Sequence, residues 1–222
     1  TDGLHNLTQR ESNRRPAALE PGKRYRATIL LHDAAHSFPA GNRLRLSLST
    51  SYWPLAWAPP EPVTLTIHCT GTALTLPERT PREADRALRP RGEATAARAL
   101  ERTMLEKESH DWRVFSDLAT DMLTLHVVDD RGSFQLADNG LTVTSCTEEW
   151  YSCRGNDFLS LRSETWSARE LRRENWSIRT ETRTVLTSTG EDFVLRADLD
   201  AYEGGERVFC RSWHKRIPRD FV

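Results

Sequence analysis

The sequence lacks a hydrophobic run long enough to cross a membrane, since no stretch approaches the roughly 18 apolar residues that a spanning helix requires. It also lacks an excess of charge, because 31 lysines and arginines nearly balance 32 aspartates and glutamates, for a net charge of −1. This balance gives no electrostatic reason to expect nucleic acid or an anionic membrane as a partner. The first residues carry no basic-then-apolar signal pattern, and we expect a cytoplasmic protein.

Cysteine is scarce. The four cysteines, Cys69, Cys146, Cys153 and Cys210, are widely spaced and form no Cys-x-x-Cys pair. Cys146 and Cys153 lie an odd number of residues apart on one expected strand, so they should face opposite sides of a sheet. We therefore expect free, buried thiols rather than disulfides or a metal centre.

A further absence concerns catalysis. An α/β-hydrolase presents its nucleophilic serine on a tight strand-to-helix turn with the pattern Gly-x-Ser-x-Gly, and the sequence contains no such string. The alternation of strands and helices that would carry this turn is missing as well. The sequence therefore predicts no catalytic residues, no cofactor and no metal, and the chain should not be an enzyme on its own.

What the sequence does contain is β-strand patterning. Apolar side chains alternate with polar ones over 24–31, 43–49 and 63–68, as in strands with one buried face. A turn-rich segment at 37–42 separates the first two, and a second region, rich in Pro, Arg, Glu and Ala, occupies 77–111.

Alternating strands return from Trp112 onward and follow one another as hairpins. We place a hairpin turn at Asp129–Gly132 and another at Glu203–Glu206. The fold class predicted is all-β, an antiparallel partial jelly-roll sandwich followed by an antiparallel β-meander. The predicted divisions are 1–76 for the partial jelly roll, 77–111 for a charged linker and 112–222 for the meander.

One long ordered string resembles a known family. It comprises Pro21, Gly22, His32, Asp33, Ala35, His36, Phe38, Gly41, Arg43 to Leu46, Ser49, Ser51, Trp53 and Pro54. This string is similar to the C-terminal, galactose-binding-like jelly-roll region of the Xaa-Pro dipeptidyl-peptidase and cocaine esterase (CocE/NonD) hydrolases. Asn6-Leu7-Thr8 and the closing Ile217-Pro218-Arg219-Asp220 resemble flanking parts of the same family.

The resemblance implies a non-catalytic role. The family's catalytic serine, aspartate and histidine belong to an upstream α/β-hydrolase domain, and none can be transferred to a residue of this chain. The expected partner is such a catalytic domain, whose architecture and substrate cleft this chain would support. The alternative is a β-sandwich module that binds carbohydrate or peptide through the aromatic loop 52–57.

Six residues are candidates for an interface or a binding site. Tyr52, Trp53 and Trp57 concentrate apolar bulk in one loop, which favours a protein interface, with plain core packing as the next alternative. His32, Asp33 and His36 hold the groups of a base or a weak metal site, but hydrogen bonding at a strand end explains them better.

Two acidic pairs have ordinary explanations. Asp129-Asp130 could bind calcium and Asp198/Asp200 could imitate a glycosidase pair, but a turn and a solvated strand face account for them.

The half jelly roll leaves an apolar face that needs a cover. The meander should cover part of it, and a residual open edge should make the chain self-associate. The residues of this face are Ile29, Leu31, Leu44, Leu46, Leu48, Leu65 and Ile67.

Overall fold

The computed structural model describes residues 1–89 and 92–221; Pro90 and Arg91, inside the predicted linker, and Val222, at the end of the predicted meander, lie outside the described residues. The eight strands are β1 Arg102–Glu106, β2 Ser109–Asp117, β3 Met122–Leu136, β4 Thr142–Arg154, β5 Asp157–Arg173, β6 Trp176–Ser188, β7 Asp192–Glu203 and β8 Glu206–Pro218. Two short 3₁₀ helices, Leu7–Gln9 and Glu83–Asp85, precede them, and the described residues contain no α-helix. No helix among them is long and apolar enough to cross a membrane.

All eight strands belong to one open antiparallel sheet. The strands from β3 to β8 pair in sequence order, while β1 and β2 lie one after the other along the same edge of β3. Successive strands are joined by short turns, which is the connectivity of a meander. The predicted all-β class and the antiparallel meander are confirmed. The strands begin at Arg102, inside the range 77–111 that we assigned to a linker.

The turn predicted at Asp129–Gly132 is wrong, because β3 continues through these residues. The pairing register with β4 shifts between Asp130 and Ser133, which marks a β-bulge. The Asp130 carboxylate accepts a hydrogen bond from the Gly132 backbone N–H at 2.8 Å, and Gly132 has a positive φ of 62°. An Asp-x-Gly sequence suits both a turn and a bulge, and the long partner strands select the bulge. The second predicted turn, at Glu203–Glu206, is confirmed.

The strands predicted over 24–31, 43–49 and 63–68 are not formed. Among the described residues before Arg102, the only β-type pairing is an isolated bridge between Tyr52 and Ala56. A strand needs a neighbour for its backbone N–H and C=O groups, and these segments have none. Their alternating apolar side chains therefore stay half exposed: Leu44 is 56% exposed, Leu46 48% and Leu48 49%.

The sheet has two unlike faces, because successive side chains alternate across it. We call one the apolar face; it carries Val114, Leu125, Tyr151, Leu186, Phe193 and Leu195. The other is the charged face; it carries Arg113, His126, Glu148, Trp150, Glu164, Arg183 and Asp198. Only Ala58 and Leu161 are buried apolar residues in the part of the chain that the structure describes.

The four cysteines are free thiols, but the predicted burial is wrong for two of them: Cys69 and Cys210 are exposed, and Cys146 and Cys153 are partly buried. The register places Cys146 on the charged face and Cys153 on the apolar face. Burial is the main cause that raises the pKa of both thiols, which keeps them protonated and unreactive at neutral pH.

Candidate functional site

The aromatic loop, residues 52–57, is a compact turn. The Ala56 N–H donates to the Tyr52 carbonyl at 2.8 Å, and the Trp53–Pro54 peptide bond is cis. This turn brings the Trp53 and Trp57 rings into edge-to-face contact, with centroids 4.9 Å apart and planes at 88°. Such a geometry places the positive edge of one ring against the negative face of the other.

Both indoles then pack against the apolar face of the sheet. Trp53 meets the Tyr151 ring of β4 edge-on at 6.0 Å, and Trp57 meets the Phe193 ring of β7 at 5.7 Å. The Trp57 Nε1–H also donates to the Ser188 hydroxyl at 2.9 Å. The partly buried indole N–H thus has a hydrogen-bond partner. Burial, together with the neighbouring Glu149 carboxylate, raises the pKa of the Tyr151 phenol, so this ring stays neutral.

Arg219, which follows the last strand, contacts the same region of the sheet. Its guanidinium donates to the Ala58 carbonyl at 2.5 Å, to the Thr189 carbonyl at 3.2 Å and to the Ser188 hydroxyl at 3.4 Å. It also lies over the Phe193 ring, 4.9 Å from its centroid. Arg219 is only 2% exposed, and burial lowers the pKa of its guanidinium, which still remains charged at any physiological pH.

Two further hydrogen bonds connect the C-terminal segment to residues near the N-terminus. The Asn6 side-chain amide and the Thr8 hydroxyl both donate to the Phe221 carbonyl, at 3.3 Å and 3.4 Å. The N-terminal residues and the segment that follows β8 are therefore joined at one corner of the sheet. The aromatic loop, the C-terminal segment and this corner form one continuous contact, which we call the junction.

The structure does not bring His32, Asp33 and His36 together. The His32 Nδ1 lies 3.1 Å from the Asp2 carboxylate, and its side chain is 76% exposed. The His36 ring instead packs edge-on against Phe38 at 5.0 Å. Asp33 is exposed. Their separation argues against a shared base or metal site, and the described residues contain no cluster of three or more metal-ligating side chains.

The two acidic pairs are also engaged elsewhere. Asp129 contacts His110 at 2.9 Å and Arg131 at 3.3 Å. Asp198 accepts from the Ser212 hydroxyl at 2.6 Å, and Asp200 pairs with Arg207 at 3.2 Å. Each of these carboxylates already pairs with a basic neighbour or accepts a hydrogen bond, which leaves no open pair for a cation or a glycosidic bond.

Sequence reasoning did not identify one cluster on the charged face. The His126 Nε2 lies 2.9 Å from the Glu148 carboxylate, and the imidazole stacks on Trp150 with centroids 4.9 Å apart and planes at 8°. A histidine with a carboxylate can act as a general base. In the described part of the chain, however, no serine, threonine or cysteine side chain hydrogen-bonds this imidazole, so no nucleophile is activated.

Sequence reasoning also missed Ser188 and Arg219 as partners of the aromatic loop. Ser188 lies 131 positions from Trp57, and no local pattern signals such a contact. The only signal was the resemblance of Ile217–Asp220 to the end of the longer family members, which flagged the segment without assigning a role.

Comparison with known proteins gives one match and two negative results. No curated protein and no solved structure is significantly similar to the chain. Residues 1–112 match the family described as the X-Pro dipeptidyl-peptidase C-terminal non-catalytic domain. This match covers the residues of the ordered string, the aromatic loop and the half-exposed leucines. The chain therefore belongs to the family of X-Pro dipeptidyl-peptidase C-terminal non-catalytic domains.

Proposed function

We propose that this chain is the non-catalytic part of a CocE/NonD-type serine hydrolase and that it supports the architecture and substrate cleft of an α/β-hydrolase catalytic domain. One observation carries the proposal. The alternating apolar side chains of 43–49 and 63–67, all inside the family-matched residues, are exposed by 42–56%. Surfaces of this kind mark contacts with another protein or domain.

The free energy of burial favours a partner that covers these apolar side chains. Full burial of a leucine, isoleucine or valine side chain is worth roughly 1.5–3 kcal/mol relative to full exposure. These side chains are about half exposed, so a partner could recover a substantial part of that free energy at each of them. The same segments also carry unpaired backbone groups, which strands or loops of a partner can satisfy.

The aromatic loop has a different role in this proposal. Trp53 and Trp57 are engaged by Tyr151 and Phe193 of the same chain, so the loop joins the family-matched half to the sheet. Both indoles are thus engaged within the chain, which disfavours the carbohydrate- or peptide-binding alternative; of the three aromatic residues in the loop, Tyr52 is the exposed one, at 45%. Four free thiols support a reducing compartment, and we assign the protein to the cytoplasm.

The test uses a catalytic domain with a Gly-x-Ser-x-Gly elbow encoded in the same genome. We expect the chain to bind this domain and to raise its thermal stability and its turnover of an X-Pro anilide. Leu46→Asp should abolish these effects, because it places a charge among the half-exposed apolar side chains of 43–49 and 63–67. Ser47→Asp adds the same charge at the next residue, one of the polar positions in the alternation, and should leave the effects intact. Equal loss in both variants, or no association of the native chain, would contradict the proposal.

A further inference from the structure

The outer edge of β2 is a second uncovered surface, and it lies outside the residues that carry the proposed function. β2 pairs only with β3, so the backbone groups along its other side have no strand partner. Every residue of β2 except Asp111 is exposed; Trp112 is 76% exposed and Val114 65%. A long edge strand with large apolar side chains is a template for pairing with another chain.

The two edges of the sheet differ in charge. β8, at the opposite edge, carries five basic side chains and a single acidic one: Arg207, Arg211, His214, Lys215, Arg216 and Glu206. If two copies paired through β8, the registers centred on Arg211 and Trp213 would set Arg211 opposite Arg211 or Lys215 of the other copy. Like charges directly opposite destabilise a strand pair, so both of these registers are disfavoured.

The sequence of β2 is instead complementary to itself. In a two-fold symmetric antiparallel pair, residue i of one copy lies opposite residue j of the other, and the sum of i and j is the same for every opposed pair. When Trp112 lies on the two-fold axis, Asp111 faces Arg113 of the second copy and Arg113 faces its Asp111. The same register pairs Trp112 with itself and sets His110 opposite Val114.

Neighbouring registers lack this match. Centring the pair on Asp111 or on Arg113 places like charges on the axis, and centring it on Val114 sets Asp111 opposite Asp117. Asp111 and Arg113 already form an exposed ion pair within one strand, so both side chains lie on the charged face and are free to join a four-charge cluster. Residues 109–115 of each copy can pair in the Trp112-centred register without leaving β2.

We propose that β2 is a self-association edge, at which a second copy of this chain adds its own β2 antiparallel in the register centred on Trp112. The sheets of the two copies then form one continuous sheet, and the aromatic loops of both lie on the same side. The pair is closed by its two-fold axis, so it stops at two copies.

Charge reversal tests the register, with the mass of the full chain measured by sedimentation velocity over a concentration series. The native chain should form a dimer. Asp111→Arg or Arg113→Asp alone sets like charges opposite each other twice and should raise the dimer dissociation constant about tenfold or more. The double variant Asp111→Arg/Arg113→Asp restores both cross-copy pairs and should recover dimerisation.

Arg211→Asp on β8 is the matched control and should leave the dimer unchanged; far-UV circular dichroism checks the fold of each variant. A chain that stays monomeric at all concentrations overturns the proposal. So does a dimer that survives both single reversals, one that the double variant fails to restore, or one weakened mainly by Arg211→Asp.

Discussion

At the scale of single residues, Trp57 combines more interactions than any other member of the aromatic loop. It contacts Trp53 and Phe193 through its ring and Ser188 through its N–H. Arg219 reaches the same Ser188 hydroxyl and the same Phe193 ring from the other side. Two parts of the chain that are far apart in sequence therefore depend on a few side chains for their mutual position.

Replacing Trp57 with phenylalanine should lower the free energy of unfolding by about 1 kcal/mol, because the ring contacts are largely kept while the hydrogen bond to Ser188 is lost. Trp176→Phe is the control, since Trp176 is 43% exposed at the start of β6, and its change should stay within about 0.5 kcal/mol. Urea denaturation followed by circular dichroism measures both. Equal losses in the two variants would show that the hydrogen bond contributes nothing.

At the scale of elements, ion pairs between neighbouring strands organise the charged face. Glu164 of β5 contacts Arg183 of β6 at 2.6 Å and also pairs with Arg162 of its own strand. Partial burial acts to raise the pKa of the Glu164 carboxyl, but the hydrogen bonds from Arg183 and Arg162 outweigh it, and the pKa is lowered. Apart from His126–Glu148, the remaining pairs are more exposed, and each contributes little by itself.

The lowered pKa of Glu164 predicts a pH dependence. A carboxyl whose pKa is lower in the folded state stabilises the fold above its ordinary pKa of 4.5, and this stabilisation is lost as the pH falls through the folded-state value. Glu164→Gln should therefore be less stable than the native chain at neutral pH, and the difference should shrink below 4.5.

Glu170→Gln is the control for this experiment, since Glu170 lies on the same strand and face without an ion pair in the described part of the chain. Thermal denaturation over a pH series measures both variants. A Glu164→Gln difference that is independent of pH, or matched by Glu170→Gln, would contradict the assignment.

At the scale of the whole molecule, the chain is an open sheet with a half-exposed N-terminal region attached to one corner. Its buried apolar core is small: only Ala58 and Leu161 are buried apolar residues among the residues described. Large apolar side chains remain partly exposed both in the family-matched residues and along β2. Both regions fit a protein that works in an assembly, where partner surfaces complete what one chain leaves open.

The same architecture predicts no hydrolytic turnover by the purified chain. The sequence has no nucleophile elbow, and the His126–Glu148 pair has no nucleophile hydrogen-bonded to it among the described residues. Assays with p-nitrophenyl acetate and an X-Pro anilide should therefore give the buffer rate. Turnover that survives repeated purification and is lost in His126→Ala or His36→Ala would contradict this prediction.

The extent to which the fold could be predicted differs between its halves. In the meander, period-two alternation and the Gly204-Gly205 turn correctly indicated strands that follow one another as hairpins, because each strand from β3 to β8 pairs with its neighbour in sequence. In the N-terminal half the same alternation predicted strands that do not form. Alternation shows that a segment suits a sheet, but hydrogen-bonded strands also need a partner at hand.

The candidate site divides in the same way. The aromatic bulk of 52–57 favoured an interface with another protein or domain, because it is too large for a solvated loop. The structure packs both indoles within the same chain instead, and their partners Tyr151, Ser188 and Phe193 reach the loop only through the pairing of distant strands.

The sequence by itself therefore determined the all-β class and the family, because alternation and an ordered motif are local properties of the chain. Only the tertiary structure decided that β3 bulges at Asp130 instead of turning, that Arg219 is buried against Ala58 and Phe193, and that β2 is left as an open edge. These outcomes depend on which distant segments compete for the same backbone and side-chain partners, and that competition is resolved only when the whole sheet has formed.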